Sequence, residues 1–169
     1  MAVVSVSGTI RFFVDLYERI TGDLGPVAAR HSIDYSKTAE SGTGTDQADL
    51  VWSDTRSVTS GTPDDLDLRG VLASALNSGI NFVKITGIMI RNKSTTSGQF
   101  LTVGNGANPA FTNLFGAGAH TLAVQPGGAF AWYAPIDPMT TVAATGDIFR
   151  VAAATGTVSY DIVIIGRTA

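Results

Sequence analysis

The chain has 169 residues and a formal net charge of −3, with 15% charged and 44% hydrophobic residues. That is one ordinary domain with room for a substantial core, and its scattered Lys and Arg argue against a nucleic-acid groove, which needs clustered cations to meet phosphates. There is no cysteine, which excludes thiol catalysis, thiolate metal sites and disulfides together. So little charge fits either a surface partly covered by another chain or a large core beneath a Thr/Ser/Asn-rich surface.

The first eight residues, Met1-Ala-Val-Val-Ser-Val-Ser-Gly8, carry no basic stretch and too short an apolar run for a signal peptide. No segment approaches the ~20 apolar residues of a membrane span. The expectation is a chain made in the cytoplasm with no membrane partner. Between Ile10 and Ile20 two periods compete. Phe13, Leu16, Tyr17 and Ile20 fit a helical stripe closed by Gly22, whereas Ile10, Phe12, Val14 and Leu16 fit one face of a strand. The strand is preferred, because everything downstream is strand-like. Gly22 to Pro26 reads as a turn and Ser32 to Thr38 as extended chain. Residues 1–40 are accordingly expected to be an N-terminal arm or elaboration, and 41–169 a β-sandwich domain.

A Gly/Ser/Thr loop from Glu40 to Asp46 precedes a strand centred on Trp52, in which Asp54 and Arg56 share a face and can pair. Gly61 to Asp64 is a turn and Asp65 to Leu68 a short strand. Val71, Leu72, Ala75 and Leu76 recur at helical spacing and are closed by Gly79, so one short helix is predicted near residues 70–77. Six apolar runs follow, near 81–91, 99–103, 120–124, 128–133, 148–152 and 158–165, separated by turn residues. Arg91 to Gly98 reads as a polar hairpin tip, Gly104 to Pro109 as a loop, and Pro126-Gly-Gly128 as a tight turn. Apolar residues on both faces near the end of the last run predict a central strand covered on each side. Eight to ten strands in all suit an all-β, jelly-roll-like β-sandwich.

Chemistry-bearing patterns are scarce. His31 and His120 are the only imidazoles and share no metal-ligand spacing. Asp64, Asp65 and Asp67 form the densest acidic cluster, but the twelfth position from Asp65 is Leu76, where a calcium loop needs Glu. These aspartates read as a solvated turn or as an N-terminal cap for the predicted helix. No Gly-rich segment opens a phosphate-binding helix, no G-x-S-x-G elbow occurs, and Asn92-Lys-Ser94 matches a glycosylation sequon by pattern only. No catalytic, cofactor-binding or metal residue is expected, and the chain is expected not to be an enzyme.

Three segments, Gly42 to Arg56, Asp64 to Gly70 and Val83 to Asn92, together with Leu101 to Gly104, Val124 to Gly128 and Tyr160 to Gly166, resemble small virion proteins of tailed bacteriophages. The likeness covers residues 40–169 and rests on turn and strand signatures. It implies a capsid decoration, or cement, protein on the capsid surface, with the major capsid protein as partner and itself as a homotrimer. It implies neither cofactor nor nucleic acid. The alternative is a tail, baseplate or head-fibre component with a receptor or carbohydrate contact. An interface core is enriched in aromatics, so Phe12, Phe13, Tyr17, Phe111 and Phe115 are the interface candidates.

Overall fold

A computed structural model describes residues 5–70, 72–73, 78–104, 106 and 110–169. The strands in chain order are β1 (Gly8–Gly22), β2 (Gly25–Ser41), β3 (Gln47–Ala48), β4 (Leu50–Thr59), β5 (Asp64–Asp67), β6 (Leu72–Ala73) and β7 (Ser78–Ile80). They continue with β8 (Lys84–Asn92), β9 (Leu101–Gly104), β10 (Thr121–Val124), β11 (Ala129–Tyr133), β12 (Met139–Thr140), β13 (Ile148–Ala153) and β14 (Thr157–Arg167). Eight of them build two antiparallel sheets, ordered β11-β8-β14-β4 and β10-β9-β13-β5, with β12 added beside β8. That alternation of successive strands between two sheets is the jelly-roll arrangement.

Period-two patterning explains the body. In β14, Val158, Tyr160, Ile162 and Ile164 are all buried, because alternate residues of a strand point to one face. Leu101, Val103, Phe149 and Val151 answer them from the other sheet within one continuous core. β14 is central, paired with β4 on one side and β8 on the other. Its register with β8 shifts between Ile165 and Gly166. Pro126-Gly-Gly128 makes the β10–β11 turn as expected, with Gly127 at φ +72° and Gly128 N–H donating to Gln125 O at 2.9 Å.

One polar cluster ties the sheets together. Asp64 on β5 accepts from Arg56 Nε at 2.6 Å and Nη2 at 3.0 Å, and from the hydroxyl of buried Tyr160 at 2.6 Å. Arg56 also reaches Asp54 at 3.0 Å, the pair anticipated from their spacing. Burial alone would raise the Asp64 pKa, but the hydrogen bonds from Arg56 and Tyr160 outweigh it and leave the carboxyl below its usual value. Burial, reinforced by the bond to Asp64, raises the Tyr160 pKa strongly.

The structure corrects three local expectations. Leu72 and Ala73 of the predicted helix are a strand paired antiparallel with β7, while Val71 and residues 74–77 lie outside the described residues. Leu72 and Ile80 are partners in this hairpin and both are buried, and Trp52 Nε1 donates to Ala73 O at 3.2 Å. Packing against the core thus overrides a helical pattern under three turns long. Asp64, Asp65 and Asp67 cap no helix among the described residues and sit on β5: Asp65 is bonded to Arg150 by two contacts of 2.6 and 2.7 Å, and Asp67 accepts from Arg69 N–H at 2.8 Å. The segment from Arg91 to Gly98 joins β8 to β9, which lie in different sheets, so it is a crossover and not a hairpin tip.

Two predictions follow from this packing. A Cβ on Gly166 would overlap the Lys84 carbonyl oxygen and approach Phe82 Cδ1 to 2.6 Å. Gly166→Ala is expected to destabilise the body by about 1–3 kcal/mol, read from a denaturant titration. For the clamp, the unfolded chain binds a proton at Asp64 below its ordinary pKa of 3.8 while the folded chain resists it, so stability falls as the solution is acidified below that value. At the alkaline end the unfolded tyrosine ionises above 10.0 and the folded Tyr160 does not, so stability falls again as pH rises past 10. Denaturation midpoints against pH should show both losses, and Tyr160→Phe should shrink the alkaline one.

Candidate functional site: an uncovered ribbon

Residues 8–41 form an antiparallel hairpin. β1 and β2 pair without a break from Gly8↔Ala39 to Gly22↔Gly25. At about 3.3 Å per residue this ribbon of 15 pairs is roughly 50 Å long. Gly25, at φ +114°, closes the two-residue turn Asp23-Leu24. The strand reading of Ile10 to Ile20 is thus the one the fold adopts.

The ribbon is rooted firmly. Glu40 and Ser41 pair in parallel with Gln47 and Ala48 of β3, where Ala39 and Ala48 are buried. The buried guanidinium of Arg167 donates to Gln47 O at 2.8 Å and also to Pro135 O. These bonds fasten the root to the last strand and to the chain after β11. A guanidinium is a planar fork of donors that stays charged, so it can hold two carbonyls from different segments at once.

Its two faces differ. The register places Arg11, Phe13, Asp15, Tyr17 and Arg19 of β1 on one face with Asp34, Ser32 and Arg30 of β2. That face is polar and internally satisfied. Arg11 makes two bonds to Asp34 at 2.9 and 2.7 Å, and Arg30 two to Asp15 at 2.8 and 3.2 Å. The Arg11 guanidinium lies 4.7 Å from the centre of the Phe13 ring, and those of Arg19 and Arg30 lie 5.9 and 6.0 Å from that of Tyr17. The other face carries Ile10, Phe12, Val14, Leu16 and Ile20 opposite Lys37, Tyr35, Ile33, His31 and Val27. Here Leu16 is 62% exposed, Ile20 67%, Val27 62% and Ile33 69%.

At the root this apolar face meets the body. Ile10 and Phe12, with Thr9 and Arg11, line a groove of about 270 Å³ against Met89, Ala131, Tyr133, Val163 and Ile165 on the outer side of the β11-β8-β14-β4 sheet. Phe12 stacks on its cross-strand partner Tyr35 with ring centres 5.8 Å apart. Val163 and Ile165 account for the apolar outer face expected of β14. The groove is what half-covers it.

The five aromatic candidates separate. Phe12 is half-buried in the groove. Phe13 and Tyr17 are 51% and 55% exposed, on the arginine-bearing face. Phe111 is only 3% exposed and belongs to the core, where its ring lies 6.4 Å from that of Phe149. It offers no surface on this chain, since its side chain fills the space above β13. Phe115 is half-buried and stacks on Phe149 from outside. Together with Leu114, His120, Leu122 and Phe130 it lines an open depression at the edge of the body where β10 and β11 lie. The aromatic criterion missed Val14, Leu16, Ile20, Val27 and Ile33. The signal that finds them is alternation continued through the turn, Val27, Ala29, Ile33 and Tyr35 answering the alternation of β1.

The polar motifs take structural roles. His31 faces Glu18 at 3.5 Å on the ribbon, and His120 Nδ1 lies 2.8 Å from Phe115 O. Among the described residues no group of three His, Cys, Asp or Glu is placed to hold a metal ion. The Asn92 side chain is buried, donates to Gln99 O and Val124 O at 2.9 and 3.0 Å, and accepts from Ser94 N–H at 2.9 Å. The sequon asparagine is thus committed to the fold. No protein-family model, curated protein or solved structure matches the chain.

Proposed function

We propose that the chain is a non-enzymatic structural subunit of a tailed-phage particle, a decoration protein that binds the outer capsid and stabilises contacts between major capsid subunits. The single observation that supports the reading is the division of the chain into a tightly packed jelly-roll body and a rooted ribbon of roughly 50 Å with an uncovered apolar face. A body of that kind supplies a rigid footing on the shell, and a projecting ribbon reaches a neighbouring copy of the chain that the body does not touch. Each such contact is modest, but a symmetric shell repeats it at every equivalent position, so the stabilisation adds over the particle.

A second reading is favoured by the depression at Phe115, His120 and Phe130. Aromatic rings beside exposed loops suit carbohydrate contact, which would place the chain in the tail, baseplate or a head fibre.

The test is the copy number of this chain in purified particles, by quantitative mass spectrometry against the major capsid protein. Decoration predicts a ratio near one or a simple fraction such as one third. A handful of copies per particle would shift the assignment to the tail or a fibre, and absence from particles would overturn both readings.

A further inference from the structure

We infer that the apolar face of the β1–β2 ribbon is a self-association surface, occupied by the same face of a second copy of this chain. The inference does not depend on the station of the chain in a particle. Monomeric proteins rarely leave a contiguous apolar patch above a few hundred Å² in water. The ribbon face, about 50 Å long and two strands wide, is on the order of 500 Å². Two such faces packed together bury on the order of 1,000 Å² in all, the threshold for a specific interface. That length already includes Ile10 and Phe12, where the face runs into the groove at the root.

Charge on the face points to a like partner. Its charged groups are few: Lys37 lies 3.9 Å from Asp46, and Glu18 lies 3.5 Å from the His31 ring, which carries charge only when protonated. The face therefore presents at most one unanswered carboxylate and no patch of one sign for an oppositely charged partner to read. A second copy meets it with little like-charge repulsion. On either side of Glu18 and His31, Val14, Leu16, Ile20, Val27 and Ile33 project in alternation from both strands. In a two-fold pairing each copy contributes this one patch, so the sequence needs only a single apolar stripe to make both sides of the contact, and the product is a dimer where the resemblance implies a homotrimer. The opposite face lacks this property, because its Asp and Arg side chains are bonded to one another above Phe13 and Tyr17.

The test uses the purified full-length chain, so that capsid binding plays no part in the result. Sedimentation equilibrium should show association of the wild-type chain. The variant Leu16→Asp/Ile33→Asp should weaken it roughly 100-fold or more, since two central contacts are lost and two charges would be buried unpaired. Phe13→Ser/Tyr17→Ser, on the opposite face, should associate as the wild type does. A body that melts normally in all three proteins shows that the substitutions acted on the ribbon. Because the chain has no cysteine, Ile33→Cys offers a second measurement that needs no loss of folding. It should form an interchain disulfide under mild oxidation, and Ser32→Cys on the opposite face should not. A wild-type chain that stays monomeric at about 100 µM, far above the affinities of stable complexes, overturns the inference. So does an aspartate variant that associates unchanged, or equal cross-linking from both cysteine positions.

Discussion

A two-stranded ribbon is marginal in water, because each strand has only one neighbour and neither face is covered. The rest of this structure is organised around holding such a ribbon out from a body that is already complete. β1 and β2 pair over their full length, yet beyond the root their side chains meet mainly one another and solvent. Cross-strand pairs add support of order 0.2–1 kcal/mol each, and the exposed Arg–Asp pairs on the polar face add little more. What those bonds do is fix which face is which: with Arg11, Asp15, Arg30 and Asp34 engaged on one side, the Val, Leu and Ile side chains of the two strands are left on the other. The ribbon is therefore prepared for a partner, and we place a second copy of the chain there.

The body supplies the stiffness that such an arm requires. Its two sheets are packed through aliphatic side chains and joined by the Arg56–Asp64–Tyr160 cluster, which runs from β4 through β5 to β14. The same last strand ends at Arg167, whose guanidinium grips the ribbon root. One strand thus lies in the core, in the inter-sheet clamp and in the anchor of the arm. A displacement of the ribbon would be transmitted to the body through β14 rather than absorbed by a slack linker. That mechanical continuity suits the proposed role of a subunit that holds neighbours in register.

Much of the body was legible because period-two patterning and turn chemistry are local. The alternation in Val158 to Ile165 marked β14 as central, and Pro126-Gly-Gly128 marked the β10–β11 turn, without any knowledge of partners. The helix expected near 70–77 failed for the complementary reason. Leu72 and Ala73 follow long-range demands, the burial of Leu72 with Ile80 and the Trp52 indole bond to Ala73, which no eight-residue window contains. The ribbon was half legible. Alternation in Ile10 to Leu16 indicated a strand, but pairing with residues 25–41 was needed to reveal that two apolar stripes coincide on one face. Ranking surface candidates by aromatic character then favoured Phe13 and Tyr17, which lie under arginines, and Phe111, which lies in the core. A ring in a sequence says nothing of which side of a strand pairs with whom.

The most direct measurement is amide hydrogen exchange along the ribbon as a function of protein concentration. Exchange reports local opening, and a ribbon completed by a second copy must open more readily when that copy is diluted away. The account predicts that amides between Val14 and Ile33 are protected in concentrated protein and lose protection on dilution, while those of β14 stay protected throughout. Ribbon amides that exchange at the same rate at every concentration would contradict it.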